Sequence, residues 1–313
     1  MRRNVVSAAA VWALLALAAR AAEPPVFDVP RVDGVAIDGA LDDWGEGGFR
    51  VDCMVARNGL ALPVDDFDPR FRLGWNRQGL LVGVEVRDDM AAEAEEEYWT
   101  RDSIEIFMAA ERGSPQFFQL LISPGVGPAH PELRTRLYDK RAERPAELVQ
   151  RSARRLTDGG YACEVLLPWT NVGVPAEVGR LAAFQIYVAD ADLPEEGTFQ
   201  AVWYPYEQAH ANPWAYYPIR LAEKPSPPVE KVVTLYEDAG TLELRIVGAP
   251  ALAGQAYALT GGGRRAVARG RLAEEGGRAA ARHPLPMPQW KVRLGGEAPP
   301  VVPRRPEPHF SAY

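Results

Sequence analysis

Two carboxylates near the middle of the chain are candidates for acid–base chemistry. Asp102 and Glu105 lie in the stretch YWTRDSIEIFM, residues 98 to 108. Because side chains alternate between the two faces of a strand, a spacing of three residues directs these carboxylates to opposite faces. A glycoside hydrolase needs two carboxylates about 5 to 9.5 Å apart, and Glu105 with Glu164 is the pair to test. Carboxylates on the strands of a sandwich are more often solvated or paired than catalytic. A glycoside hydrolase is therefore only an alternative interpretation.

Other catalytic signatures are missing from the sequence. It has no H-E-x-x-H, G-x-S-x-G or P-loop motif, and its four histidines lack ligand spacing. The acidic run RDDMAAEAEEE, residues 87 to 97, has the oxygen ligands that calcium prefers but not the spacing of a calcium loop. We therefore favour a solvated acidic loop there, with a cation site as the alternative.

Aromatic residues concentrate in AVWYPYEQAHANPWAYYP, residues 201 to 218, which includes Trp203 and Trp214. The prolines and polar residues in this stretch argue against a core strand. Exposed rings beside acids and amides suit a sugar, whose C–H face stacks on a ring while its hydroxyls bond to polar groups. The alternative is that these rings close the end of a hydrophobic core.

The pattern over residues 26 to 222 is that of short strands. In FRLGWNRQGLLVGVEVRDD, residues 71 to 89, apolar residues alternate on both sides of an Asn76–Gly79 turn, which predicts a hairpin. Further strands are predicted at 103–108, 117–123, 160–169 and 181–190. Six or more short strands separated by Gly, Pro and Asp turns indicate an all-β fold, an antiparallel β-sandwich.

The ends of the chain differ from its centre. Residues 1–21 have the basic start, apolar run and small-residue cleavage site of a signal peptide, and an uncleaved anchor is the alternative. A proline-rich linker is predicted at 223–231, a small C-terminal β-domain at 232–295 and a disordered tail at 296–313. The predicted protein is exported to the periplasm, the cell surface or the medium, without a membrane span in the mature chain.

The net charge limits the classes of partner that the protein can bind. Removal of residues 1–21 takes away three arginines and no acid, so the formal net charge changes from −7 to −10. Such acidity argues against nucleic acid as a partner, because phosphate recognition needs a basic face.

Cys53 and Cys163 are the only cysteines, and the sequence leaves open whether they form a disulfide or remain two buried thiols.

Several ordered motifs resemble the family 9 carbohydrate-binding modules, which belong with the DOMON-like β-sandwiches. They are VAIDGALDDW, GLLVGVEVRDD, YWTRDSIEIFM, GYACEVLLPW and LAAFQIYVADAD, in that order, and the resemblance covers about residues 26–222. The family binds sugars without catalysis and acts as an accessory to glycoside hydrolases. The resemblance thus implies a carbohydrate partner, an oligosaccharide or the end of a polysaccharide. Members also carry structural calcium, whose ligands the motifs do not identify here.

The resemblance also implies a site. In sugar-binding members two tryptophans sandwich a terminal sugar ring, and Trp99 and Trp214 match their positions. Glu105 matches the carboxylate that bonds to hydroxyls, whereas Asp102 is expected to order the start of the strand. Gln119 and Ser123 point to the same side, but Leu121 and Ser123 replace the arginine and asparagine of the family.

Because Leu121 and Ser123 replace the expected polar residues, two other functions are alternatives. One is a cell-surface interaction module that has lost its sugar site. Another is haem binding, as in other DOMON-like sandwiches, with Met54, Met90 or Met108 as a ligand.

Overall fold

The computed structural model describes residues 24–90, 92–126, 129–139, 151–193, 197–205, 208–238, 241–260, 266–285 and 291–294. The predicted signal peptide and the predicted tail at 296–313 lie outside these residues. In the described part of the chain, no helix has both the length and the apolar character required to cross a membrane.

Strands dominate the described residues. They are β1 (Phe27–Pro30), β2 (Phe49–Val51), β3 (Val55–Ala56), β4 (Phe67–Trp75), β5 (Gly79–Asp88), β6 (Ser103–Ala109), β7 (Phe117–Ser123), β8 (Arg134–Asp139), β9 (Arg151–Thr157), β10 (Gly160–Pro168), β11 (Leu181–Asp190), β12 (Phe199–Val202), β13 (Tyr217–Ala222), β14 (Lys231–Asp238), β15 (Thr241–Gly248), β16 (Ala256–Thr260), β17 (Ala266–Arg271), β18 (Ala273–Glu275), β19 (Arg278–Leu285) and β20 (Lys291–Leu294). A single turn of α-helix, α1, spans Trp169–Val172. Short 3-10 turns lie at Asp42–Trp44, Tyr98–Thr100, Pro213–Ala215 and Pro250–Leu252.

Two sheets pack face to face and form the sandwich that the sequence predicts. The first has the strand order β1-β13-β11-β6-β7-β8, with β12 pairing β11 and β3, and the second has the order β2-β4-β5-β10-β9. Their pairs are antiparallel except for β1 with β13. One hydrophobic core fills the space between them. The predicted all-β fold is confirmed.

The hairpin of β4 and β5 shows how local sequence determines this fold. Inward side chains on both strands are fully or almost fully buried, from Phe71 and Leu73 on β4 to Val82 and Val84 on β5. The Asn76 side chain accepts backbone N–H bonds within the turn. Asn therefore does here what it commonly does in turns, replacing a backbone acceptor.

The outer face of the second sheet is covered by the segment that precedes β2. Trp44 packs there on Leu81 and Leu166. Glu164, which has no exposed surface, accepts hydrogen bonds from the Trp44 indole at 2.7 Å and from two backbone N–H groups at 2.9 and 3.0 Å. This carboxylate holds the covering segment against the sheet.

Beyond β13 the chain forms two smaller sheets, β14-β15-β19-β18 and β17-β16-β20. The connecting segment, predicted as a linker, lies along the sandwich, since Val229 exchanges backbone hydrogen bonds with Arg50 and Asp52. Arg278 of β19 is 4% exposed and pairs with Asp68 of β4 at 2.9 Å. The β14-β15-β19-β18 sheet is therefore joined to the sandwich by a buried ion pair.

The two cysteines are separate free thiols, both buried. Burial raises the pKa of each thiol to about 12. Of the two possibilities that the sequence left open, the structure shows buried thiols.

Candidate functional site

The outer face of the first sheet carries most of the predicted site residues. Ile104 and Ile106 of β6 point into the core, so Glu105 between them points outward. Register places Glu105 opposite Leu121 of β7 on one side and opposite Tyr187 of β11 on the other.

Glu105 is a buried carboxylate that organises two amides. It accepts a hydrogen bond from Gln119 at 2.7 Å and another from Gln200 at 2.9 Å. Burial raises the pKa of Glu105 to about 7, while the two amide bonds and the charge of Arg57 oppose that rise. Because only 5% of Glu105 is exposed, the residue both accepts hydrogen bonds and orients the two amides at the surface.

Sequence reasoning missed Gln200. This residue reaches Glu105 from β12, over the small side chain of Ala189, which is its register partner on β11. No spacing within the sequence relates Gln200 to Glu105, because the two lie on strands separated by a third.

Trp99 lies in the 3-10 turn that precedes β6 and is 38% exposed. Its neighbour Tyr98 is buried and anchors the turn, with the guanidinium groups of Arg134 and Arg136 at 4.9 and 5.3 Å from its ring centre. Arg134 pairs in register with Ser123. The turn therefore lies at the Ser103–Ser123 end of the β6–β7 hairpin.

Trp214 is 58% exposed and lies at the other end of the same hairpin. The backbone N–H of Gly113, in the β6–β7 turn, donates to the carbonyl of Pro213 at 3.1 Å. The Trp214 ring lies against Gly113, where a Cβ atom would come within 2.5 Å of the indole. The Arg112 guanidinium lies 5.2 Å from the centre of the ring.

The structure thus places both predicted tryptophans on the surface, at opposite ends of β6. The strand from Ser103 to Ala109 spans six residue steps, or about 20 Å. Whether the two rings close on one sugar stays a prediction.

Two positions on β7 differ from the polar residues that the resemblance implies there. Leu121 has no exposed surface, and Ser123 is 1% exposed. The Ser123 hydroxyl donates to Glu93 at 2.7 Å and accepts from Arg134 at 3.0 Å. Ser123 therefore holds the acidic loop in place, whereas Gln119 remains partly accessible.

Each of the two interpretations of the aromatic stretch at 201–218 is correct for some of its rings. Trp203, Tyr204, Tyr216 and Tyr217 are buried in the core, as the alternative interpretation has it, and Trp214 alone among the described aromatic residues of the stretch is exposed.

The structure corrects the proposed hydrolase pair. Glu105 lies on the outer face of the first sheet and Glu164 on the outer face of the second, with the whole core between them. Packed sheets are about 10 Å apart, so these two carboxylates cannot flank one glycosidic bond.

The methionines give no support to haem binding. Met54 and Met108 are buried among core side chains, and Met90 is 46% exposed.

The acidic run is solvated only in part. Glu95, Glu96 and Glu97 are exposed, as predicted, but the prediction is wrong for Asp88 and Glu93. Asp88 is 7% exposed, and Glu93 accepts hydrogen bonds from Ser123 and from the backbone of Gly125.

Asp88 belongs to a cluster of aspartates at the end of the sandwich. One oxygen each of Asp88, Asp102 and Asp190 lie within 4.8 Å of one another, and all three residues are buried. Asp102 also accepts N–H bonds from Ala92 and Ala191, which confirms its expected role at the start of β6. Asp66, Asp89 and Asp192 extend the cluster toward the surface.

These residues fit the calcium that the resemblance implies. Among the described residues, Oδ1 of Asp190 has no hydrogen-bond partner although only 4% of the residue is exposed. Burial, together with the charges of neighbouring carboxylates, Asp88 first, raises the pKa of Asp190 to about 8. Hard cations prefer such a set of carboxylate oxygens, so Asp88, Asp102 and Asp190 are the residues that would hold calcium.

Comparison with known proteins identifies the family. The chain belongs to the family described as "Carbohydrate family 9 binding domain-like", whose model matches residues 37–223. A family 9 carbohydrate-binding module from Caldicellulosiruptor kristjanssonii in complex with cellotriose is 18% identical, with a TM-score of 0.50 over 64% of this chain and 95% of that one. A module of the same family and organism, in complex with glucose, is 18% identical with a TM-score of 0.51 over 64% of this chain and 97% of that one.

At this level of identity the two structures show the fold. A search among curated proteins finds no match.

Proposed function

We propose that this chain is an exported, non-catalytic carbohydrate-binding protein that holds a sugar or the end of a polysaccharide with Trp99 and Trp214. The observation that carries the proposal is the pair of exposed indoles on either side of the Glu105, Gln119 and Gln200 network. Exposed aromatic rings beside oriented amides are the combination that a sugar requires.

Each group has a separate task in this proposal. The indoles stack on the C–H faces of sugar rings, and the surface amides of Gln119 and Gln200 bond to hydroxyl groups. Glu105 keeps those amides oriented, because both of its oxygens already accept from them. No bond of the ligand is broken, so the protein serves as an accessory that keeps a partner enzyme near its polysaccharide.

Calcium fits this function as a structural ion. Bound by Asp88, Asp102 and Asp190, it would neutralise buried charge at the point where the Trp99 segment meets β11.

Calorimetric titration of the mature chain, residues 22–313, tests the proposal with cellobiose, xylo-oligosaccharides and a wider panel of sugars. Trp99→Ala and Trp214→Ala should weaken binding, while the control Leu156→Ala removes an exposed apolar side chain from the second sheet and should not. Unchanged binding in both tryptophan variants would contradict the proposed site.

A second candidate function is an interaction module without a sugar site. The observation that favours it is the burial of Leu121 and Ser123, where polar contacts are expected. Failure of the intact protein to bind any sugar of the panel would support this candidate.

A further inference from the structure

Arg136 lies on the face of the sandwich that carries Glu105. Glu105 of β6 pairs in register with Leu121 of β7, which pairs with Arg136 of β8, so the three side chains point to the same side of the first sheet. Two strand spacings, or about 10 Å, separate Glu105 from Arg136 along this row. Leu121 between them has no exposed surface, whereas Arg136 is partly exposed. The guanidinium of Arg136 is therefore an accessible cation beside the Glu105 network.

The contacts of Arg136 leave donors for a ligand. Its guanidinium lies 5.3 Å from the centre of the Tyr98 ring and bonds to the hydroxyl of Tyr138. Arg134 packs on the same ring at 4.9 Å, but it also donates to two backbone carbonyls and to the hydroxyl of Ser123. Because a guanidinium has five N–H donors in a planar fork, the bond to Tyr138 uses only part of the fork of Arg136.

Arg136 also differs from other arginines of the sandwich in its charge partners. Arg50, Arg70 and Arg220 each form an ion pair at 2.6 to 2.7 Å. Arg136 forms none with a carboxylate of the described residues, although the charge of the exposed Glu96 acts on it from nearby. Since a guanidinium binds a carboxylate through two parallel hydrogen bonds, an acidic ligand fits the open part of the fork.

A second cation lies on the other side of Glu105. Arg57, which follows β3, is exposed, and its charge lowers the pKa of Glu105. The two oxygens of Glu105 accept hydrogen bonds from Gln119 and Gln200. The groups that this face offers to a ligand are therefore two amides between two arginines.

From these contacts we infer that Arg136 binds the carboxylate of an acidic sugar, so that the oligosaccharide held on this face contains a uronic acid unit. The inference rests on the proposed sugar-binding function and specifies the class of its ligand. Gln119 is the register partner of Tyr138, two residues from Arg136, and its amide bonds to hydroxyl groups next to the carboxylate.

Pairs of ligands that differ only in the carboxylate test the inference. We would titrate the mature chain by calorimetry with xylo-oligosaccharides that carry a glucuronic acid branch and with oligogalacturonides. Each ligand is compared with its carboxyl-reduced, neutral counterpart. In at least one pair the acidic member should bind about fivefold more tightly, as expected for one exposed ion pair.

Variants of Arg136 locate the carboxylate. Arg136→Met keeps an unbranched side chain against Tyr98 but removes the fork, so it should abolish the preference for the acidic member and leave the affinity for the neutral member unchanged. Arg136→Lys keeps the charge without the fork and should retain only part of the preference. Arg155→Met is the control, because Arg155 is an exposed arginine of β9 on the second sheet, and the preference should persist in it.

The outcomes are distinguishable. If the acidic and neutral members of every pair bind equally well, the inference is wrong while the proposed function stands. If Arg136→Met weakens both members equally, Arg136 acts by supporting Tyr98, and the inference is again wrong. Loss of the preference in Arg155→Met would assign it to the overall charge and overturn the inference too. If no sugar binds, the proposed function itself is wrong, and the inference with it.

Discussion

Gln119 donates a hydrogen bond to Glu105 diagonally across two neighbouring strands, at 2.7 Å. In register, Glu105 lies opposite Leu121 and Gln119 opposite Phe107, so the bond bridges successive outward positions. Gln200 donates to the other oxygen of the same carboxylate from the opposite side. One buried acid thus determines the orientation of two amides at the surface.

Replacement of that acid tests its role. Glu105→Gln should weaken sugar binding by about fivefold to tenfold, because charge-assisted hydrogen bonds are about twice as strong as neutral ones. Calorimetry measures the affinity, and a thermal melt serves as the control for folding. Undiminished affinity in a folded variant would show that Glu105 does not orient the binding amides.

The pH dependence of sugar binding should reflect the ionisation of Glu105. Burial raises the pKa of Glu105 to about 7, so the carboxylate ionises and becomes a stronger acceptor as the pH rises through this value. Affinity should therefore increase between about pH 6 and about pH 8. In Glu105→Gln this increase should disappear, and its persistence would assign it to another group.

Calcium should stabilise the protein more at high pH than at low pH. Burial raises the pKa of Asp190 from 3.8 to about 8, so the calcium-free folded state binds more protons than the unfolded state between these values. The stability of the calcium-free protein should consequently fall as the pH rises from about 4 to about 8.

Differential scanning calorimetry with calcium and with a chelator measures this effect. The melting temperature should rise on addition of calcium at pH 8, and less so at pH 5. Asp190→Asn should remove most of the difference between the two conditions. An equal response of this variant and the unaltered chain would place the ion elsewhere.

Loss of the buried ion pair between the sandwich and the β14-β15-β19-β18 sheet should lower the free energy of unfolding. Arg278 bonds to Asp68 and to the carbonyls of Leu62 and Phe67. Arg278→Met removes the cation that faces Oδ1 of Asp68, while Arg70 still donates to Oδ2, so the cost should be about 3 kcal/mol, the lower end for a buried pair. Urea unfolding measures this change in the free energy of unfolding.

The neighbouring pair of Arg282 and Glu275 provides the control. Both of its side chains are more than half exposed. Arg282→Met should change the free energy of unfolding by less than about 1 kcal/mol. Equal effects of the two arginine substitutions would mean that the buried pair adds nothing to stability.

Glu164 should prove to be a structural residue. Its three hydrogen bonds hold the segment around Trp44 on the second sheet, and Glu164→Ala should lower the free energy of unfolding by about 3 kcal/mol. Sugar binding should persist in the folded fraction, because the carboxylate lies on the sheet opposite to Glu105. Urea unfolding and calorimetric titration check the two expectations.

Much of the fold was readable from local pattern. Alternation in β4 and β5 and the Asn76 turn gave the hairpin, and the predicted strands at 103–108, 117–123, 160–169 and 181–190 match β6, β7, β10 and β11 within one residue. Such alternation is informative because each strand has one face in the core.

The candidate site was predictable only in part. Trp99, Glu105 and Trp214 were named as candidates from their motifs, but the contact of Gln200 with Glu105 and the supports of the two indoles depend on other strands and turns. The aspartate cluster joins the ends of β5 and β11 to the start of β6, so its members have no characteristic spacing.

The sequence by itself determined that this chain folds into a β-sandwich, because the period of its apolar residues is a local property that each strand carries. Only the tertiary structure decided which rings are buried and which are exposed, which carboxylates meet, and where along β6 the two tryptophans lie. Those relationships depend on sheet order and register, which bring together residues as far apart as Asp88 and Asp190, or Gly113 and Trp214.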